Sequence, residues 1–297
     1  MSQTNTKIKS ISHEPVLLQE VLDTLAPKKG ERYLDLTAGY GGHASEVKSL
    51  TGSAMTLVDR DNNAISELSN RFGGHSDVTV VHSDFLQACR NMVQANEKFD
   101  CILVDLGVSS PHLDNADRGF SLKVEAPLDM RMDTRQELTA ADVVNTYAED
   151  ELVRILRSYG EEPKAFKMAR AIEAARPLGT TIQLADVAKK VWPGHSRTHP
   201  ATRLFQAVRI EVNNELGQLE EALPLLVELL PPKGRLAVIS FHSLEDRIVK
   251  KFYQSRAGDR YDSDLEVVNR RVLTASETEL VTNPRARSAK LRVAKRK

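Results

Sequence analysis

The sequence predicts an α/β fold, a parallel sheet with helices on both faces, interrupted by an inserted all-helical segment. Three observations predict it: short apolar runs alternate with helical periodicity, acidic residues stand at the ends of those runs, and after Asp105 the alternation stops, leaving an aperiodic stretch and then helical patterns.

Val16, Leu17, Val21, Leu22 and Leu25 recur at helical spacing until Pro27 to Gly30 breaks the pattern, which predicts a short lid helix ahead of the first strand. Strands are expected over 33–36, 54–58, 78–82 and 99–105. Ligands of such sheets bind outside the carboxyl ends of the strands, where Asp35, Asp59, Asp84 with Phe85, and Asp105 fall. Each acid could cap a helix instead, but together they are read as lining one crevice. Residues 107–133 mix glycine, proline and charge without a period, and a loop of that length points to function. Thr139 then caps a helix over 140–145, and helices are expected over 150–159, 163–175 and 182–191. Phe205, Val208, Val212, Leu216, Leu219 and Leu223 continue at helical spacing, with Asn213 and Asn214 as a candidate break. The parallel pattern is expected to resume with strands over 235–240, 265–272 and 288–294 and a helix over 244–253, while Ser276 and Glu279 offer a capping box. The division that follows is a sheet domain in two parts, 1–110 and 213–297, around an inserted loop and helical domain, 111–212.

The turn Thr37-Ala-Gly-Tyr-Gly-Gly-His43 follows the first strand and opens a helix. Its glycines allow positive φ and close approach of a ligand to the free N–H groups of the helix start. Asp59 lies about 20 residues past Gly39, the spacing at which a carboxylate accepts from ribose hydroxyls. An adenosine-containing cofactor is expected. Gly39, Gly41 and Ala44 also satisfy the loose dinucleotide pattern, but Asp35 would repel a pyrophosphate and attract the ammonium and sulfonium of S-adenosylmethionine, which is the favoured cofactor.

The chain has 297 residues, with 41 Lys and Arg against 41 Asp and Glu. This balance argues against indiscriminate nucleic-acid binding. The basic run from Arg285 to Lys297 is read by itself as a solvated end. No apolar stretch is long enough to span a bilayer and the polar start has no secretory pattern, so a cytoplasmic location is expected. Cys89 and Cys101 are the only cysteines, and Cys101 sits in an apolar run as an inert thiol. The eight histidines form no zinc-binding spacing, so no metal is expected.

Further motifs are His13-Glu-Pro-Val-Leu17, Asp105-Leu-Gly-Val-Ser-Ser-Pro111, Arg118-Gly-Phe-Ser121, Pro127-Leu-Asp-Met-Arg-Met132, Tyr159-Gly-Glu-Glu162, His199-Pro-Ala-Thr-Arg203, Phe205-Gln-Ala-Val-Arg209, Ser240-Phe-His-Ser-Leu-Glu-Asp-Arg247 and Asn283-Pro-Arg-Ala-Arg-Ser288. With the glycine turn they closely resemble the bacterial ribosomal RNA small subunit methyltransferase H family, in one order from His13 to the C-terminus. The resemblance implies a Rossmann-like class I S-adenosylmethionine methyltransferase sheet. It also implies methyl transfer to N4 of a cytidine in the decoding region of 16S rRNA in the small ribosomal subunit. By motif position it places cofactor contacts at Gly41, Gly42, His43, Asp59, Phe85, Asp105 and His112, the last a departure from the glutamine of many members.

Cytosine N4 is a poor nucleophile whose lone pair is delocalised into the ring, so the site must align it with the methyl group and accept its hydrogen bonds. Transfer to carbon 5 would need a reactive cysteine. Asp105 and Ser109 are the catalytic candidates, although the segment after Asp105 carries no stacking aromatic of the kind DNA amino-methyltransferases place there. His242 and Arg203 are further candidates, Arg203 for RNA contact, and Arg203, Arg209 and Arg247 could instead pair with acids such as Glu211 and Glu245. A nicotinamide oxidoreductase and a non-catalytic RNA-binding scaffold remain as competing readings.

Overall fold

The computed structural model of the protein describes residues 15–108, 115–194, 199–259, 261 and 263–297. Strands β1 (Tyr33–Asp35), β2 (Met55–Asp59), β3 (Val78–His82), β4 (Cys101–Asp105) and β5 (Arg235–Ser240) pair in parallel. Strand β7 (Lys290–Arg296) pairs antiparallel with β5, and β6 (Leu265–Val267) antiparallel with β7, giving the order β3-β2-β1-β4-β5-β7-β6. Residues 101–104 of β4 and all of β1 are buried, as expected of parallel strands covered on both faces. The order reverses between β1 and β4, so the carboxyl ends of these two strands flank the topological switch point.

Continued parallel pairing, expected from the sequence, fails at β7. A parallel return needs a crossover that carries the chain back to the starting end of the sheet. Between β6 and β7 the regular structure is only the short helix α12 (Glu277–Thr282) and a 3-10 turn (Pro284–Ser288), so the chain enters β7 from the end at which it left β6. Strand β6 also stops earlier than expected. The Asn269 side chain bonds the Leu291 carbonyl (2.9 Å) and the Val293 N–H (2.7 Å), taking the place of the backbone ladder. The expected capping box is half present: Ser276 accepts from Glu279 N–H, whereas the Glu279 carboxylate takes the Leu17 N–H (2.8 Å).

That contact fixes the start of α1 (Leu18–Leu25), whose Val21 and Leu25 are fully buried and which packs on β5 and β7. With its apolar face sealed against the sheet, α1 is a cover for the core rather than the lid expected. Helices α2 (Gly42–Thr51), α3 (Asn62–Phe72) and α4 (Phe85–Gln94) follow β1, β2 and β3. Asp61 and Asp84 cap α3 and α4, accepting N–H bonds from Asn63 and Gln87.

Helices α5 (Ala140–Thr146), α6 (Glu149–Ser158), α7 (Ala165–Ala175), α8 (Thr181–Val191) and α9 (Thr202–Asn213) come next. Capping boxes start α5 at Thr139 and α8 at Thr180. Between Phe120 and Val212 the apolar residues pack into a core of their own, with Val143, Ile155, Leu156, Met168, Ile172, Leu184 and Leu204 fully buried. Gly160 lets α6 meet α9, because a Cβ there would lie 2.7 Å from the Arg203 carbonyl oxygen. Asn214, at φ 47°, separates α9 from α10 (Glu215–Leu229), as the paired asparagines suggested. Helix α11 (Ser243–Arg256) follows β5.

Part of the loop without sequence period is held by specific polar contacts. Arg118 is buried, pairs with Asp61 (3.2 Å) and donates to the carbonyls of Arg131 and Met132 (3.0 Å each). Asn213, also buried, accepts from Met132 N–H and donates to the Met130 carbonyl (2.8 Å each). Among the described residues no helix is long and apolar enough to cross a membrane.

Candidate active site

A cavity of about 1020 Å³ opens at the carboxyl ends of the parallel strands. The sheet order spreads its walls: Asp59 and Phe85 come from the β2 and β3 side, the glycine turn follows β1, Asp105 ends β4, and Phe241 and His242 follow β5. Helices α9 and α10 add Gln206, Arg209 and Glu215.

The Asp59 carboxylate accepts from the N–H groups of Gly39 and Asp61 (2.8 Å each), so it shapes the turn as well as facing the cavity. Gly39, at φ 52°, and Gly42 line the cavity with Asp59. Gly41 does not. Its N–H donates to the Ala38 carbonyl, and at φ 79° a Cβ would lie 2.8 Å from the Phe72 ring. A Cβ on Gly42 would lie 2.7 Å from Pro15 Cγ. These two glycines admit the protein's own side chains, whereas the sequence reading assigned their freedom to a ligand. His43 is neutral, since burial pushes its imidazole down to about 4, and its Nε2 meets the Val16 carbonyl (3.0 Å), tying the start of the chain to α2.

Asp35 is placed differently from the expectation. It is 1% exposed beneath the turn, does not line the cavity, and accepts from Thr37 N–H (3.2 Å) and the Tyr33 hydroxyl (3.3 Å). Burial, opposed by these hydrogen bonds and aided by the Asp59 charge, pushes its carboxyl up to about 7. Lying beneath the turn and outside the cavity lining, it does not face a bound cofactor in the way expected from the sequence. Asp84 does not line the cavity either and serves as a helix cap, so of the four strand-end acids only Asp59 and Asp105 face it.

Asp105 donates its N–H to the Thr37 hydroxyl oxygen (2.6 Å), fixing the end of β4 against the turn. Its Oδ1 is buried and, among the described residues, has no hydrogen-bond partner. Burial, then the charges of Asp35 and Glu245, raise the carboxyl well above the ordinary range. Ser109 and His112 lie outside the described residues.

The remaining candidates fall into two groups. Arg203 is exposed and does not line the cavity, and Arg247 pairs with Glu161 (3.1 Å) rather than with Glu211 or Glu245. Arg209 lines the cavity and grips both oxygens of Glu215 (2.8 and 2.9 Å). Glu211 pairs with Arg154. His242 caps α11 and lines the cavity, with Glu245 beside it. Ligand-type atoms of Glu215, His242 and Glu245 lie within 4.8 Å of one another. His242 and Glu245 are local neighbours in the cap of α11, whereas Glu215 joins them from the start of α10. With Arg209 on both Glu215 oxygens and two backbone N–H groups on Glu245, the arrangement is that of an ion-pair network.

Covalent catalysis has no nucleophile in either cysteine. Both thiols are buried and pushed up to about 12 by desolvation, and Cys101 begins β4 at the end opposite Asp105. The basic C-terminus is largely engaged in the fold: Lys290 and Arg292 pair with Asp246, and Arg296 donates to the Val227 carbonyl at the end of α10.

A glycine turn after β1, a carboxylate after β2 and a buried acid after β4, around one crevice at a switch point, define an α/β enzyme that binds an adenosine cofactor. The model of the MraW methylase family matches residues 10–297, and the chain belongs to that family. A ribosomal RNA small subunit methyltransferase H from Syntrophotalea carbinolica is 46% identical over 306 residues, covering 96% of this chain and 98% of that protein. Proteins of the same name from Heliobacterium mobile (44% identical, 96% and 98% covered) and Clostridioides difficile (44%, 96% and 98%) are similarly close. Among solved structures, an rRNA methylase from Streptococcus thermophilus is 10% identical, covers 94% of this chain and 93% of that one, and has a TM-score of 0.43. Family membership decides between the two cofactors the turn admits: the protein is a methyltransferase that uses S-adenosylmethionine.

Proposed function

We propose that this protein transfers a methyl group from S-adenosylmethionine to N4 of a cytidine in the decoding region of 16S rRNA in the small ribosomal subunit, in the cytoplasm. The observation that carries the reading is Asp105 Oδ1, a buried acceptor without a partner, aimed from the end of β4 into the cavity that holds the glycine turn. Gly39, Gly42, Asp59 and Phe85 would hold the adenosine, with Gly41 and His43 keeping the turn in shape and His112 as a further contact. The cofactor, when bound, supplies an electrophilic methyl group. Asp105 then accepts from the target amine and aligns its lone pair, and in its carboxylate form takes the proton that the amine loses. Ser109 is a second candidate acceptor.

The loop and helices of 111–212, with a core of their own beside the cavity, serve as the substrate-recognition domain inserted between the two parts of the sheet domain, 1–110 and 213–297. Zero net charge gives little pull toward phosphates in general, so selectivity falls to shape. Drawing a stacked nucleotide into the crevice costs a few kcal/mol that a matching surface offsets. The test is to incubate the enzyme and labelled cofactor with intact small subunits and with protein-free 16S rRNA, then identify the nucleoside by mass spectrometry. N4-methylcytidine, formed faster in the subunit, is expected. Label on carbon 5 or ribose refutes the chemistry, and equal labelling of naked RNA refutes selection by shape.

A further inference from the structure

Among the described residues, two cavity-lining side chains carry buried atoms without hydrogen-bond partners, and the two atoms differ in polarity. Asp105 Oδ1 is one. The other is His242 Nε2, on a side chain that is 10% exposed. Glu245 N–H donates to His242 Nδ1 (3.4 Å) in the cap of α11, so Nδ1 is an acceptor and Nε2 is the ring's N–H. Glu245 Oε1 stands 3.2 Å from Nε2 without forming a directed hydrogen bond. One open acceptor and one open donor in a single cavity match a ligand edge that presents a donor beside an acceptor. Cytosine presents that edge, with N4–H donating and N3 accepting; uracil reverses the polarity at both positions.

We propose that His242 is the specificity-determining residue for the target base, donating through Nε2 to N3 of the cytosine whose amine donates to Asp105 Oδ1. This rests on the reading of the reaction as N4 methylation of cytidine. Phe241 completes the base pocket. It lines the cavity beside Gly107, where a Cβ would lie 3.5 Å from the Phe241 ring, so the aromatic missing after Asp105 is supplied from β5. Glu245 acts as a positioning residue: its Oε2 accepts from the N–H groups of Phe241 (2.8 Å) and His242 (3.2 Å) and holds the turn that aims both rings.

The test is an atom-for-side-chain cycle. Small subunits are reconstituted with cytidine or with 3-deazacytidine, which lacks the N3 acceptor, at the target position. Methyl transfer to each is measured for the parent, His242→Ala and His242→Gln, alongside S-adenosylhomocysteine affinity. His242→Ala is expected to lose about tenfold in kcat/KM on cytidine and less than about threefold on 3-deazacytidine, with cofactor affinity unchanged. His242→Gln, which keeps an N–H donor, is expected to recover part of the loss, and it serves as the folded comparison if the alanine variant is unstable. Equal penalties on both substrates, in either variant, overturn the role of His242 while leaving N4 methylation standing. Parent enzyme that labels no cytidine N4 overturns the functional reading, and this one with it.

Discussion

Asp35 lies under the glycine turn, and Asp35→Asn measures how much its suppressed charge weakens the fold. The variant keeps a side-chain oxygen for Thr37 N–H and removes the charge. Burial pushes the parent carboxyl up to about 7, against about 3.9 in an unfolded chain. Because the folded value is the higher, the folded protein retains a proton that the unfolded chain has lost between about pH 4 and pH 7, and stability falls as pH rises through that window. The displacement of about three pH units sets a ceiling of about 4 kcal/mol, fully expressed above about pH 7. The advantage of Asp35→Asn over its parent should therefore be near zero at about pH 4, grow through neutrality and level off at about 2 to 4 kcal/mol. Urea unfolding of both cofactor-free proteins across this range gives the difference directly. A difference that stays constant with pH, or a variant whose relative stability declines toward pH 8, would refute the argument.

Other substitutions probe the rest of the site. Asp59→Ala should weaken cofactor binding by one to two decades in calorimetry, from a lost hydrogen-bond energy of roughly 1.5 to 3 kcal/mol, and should also lower stability, since Gly39 and Asp61 lose their acceptor; unchanged affinity would remove Asp59 from the site. Cys89→Ser combined with Cys101→Ala should leave methyl transfer within about an order of magnitude of the parent, and complete loss in a folded variant would make the mechanism covalent. Arg118→Ala should destabilise by about 3 to 5 kcal/mol in denaturant titration because the buried Asp61 carboxylate loses the guanidinium that faces it; a loss under about 1 kcal/mol would show that the pair contributes little.

Much of the fold was legible because it is written locally. Periodicity gave the five parallel strands nearly to the residue, and Thr139 and Asn214 marked a helix start and a helix break as local chemistry requires. What the sequence could not show depends on contacts between distant segments. The antiparallel β7 follows from a connection too poor in structure to cross a face of the sheet, and β6 ends where one asparagine side chain substitutes for the ladder. The site divides in the same way. Asp59 and Asp105 were visible from strand ends, whereas the burial of Asp35 and the ring of Phe241 appear only once β1, β4 and β5 lie side by side.

The motifs that match the family but stand away from the cofactor turn act mainly by joining the helical region to the sheet. Arg118 locks the loop before α5 to Asp61 at the start of α3, and Asn213 locks the same loop to the end of α9. Glu161, from the turn after α6, holds Ser243 and Arg247 at the start of α11. Arg209 and Glu215 bridge α9 and α10 across the break at Asn214. Three of these four ties end on α9, α10 or α11. Of these ties, Arg118–Asp61 and Arg209–Glu215 are buried ion pairs, which add little net stability against an apolar replacement but are costly to break, so they hold a single relative placement of the parts they join. Methyl transfer in line depends on placement to a fraction of an ångström, and a site shared between the sheet and the helical region therefore needs ties of this kind more than it needs additional apolar contact.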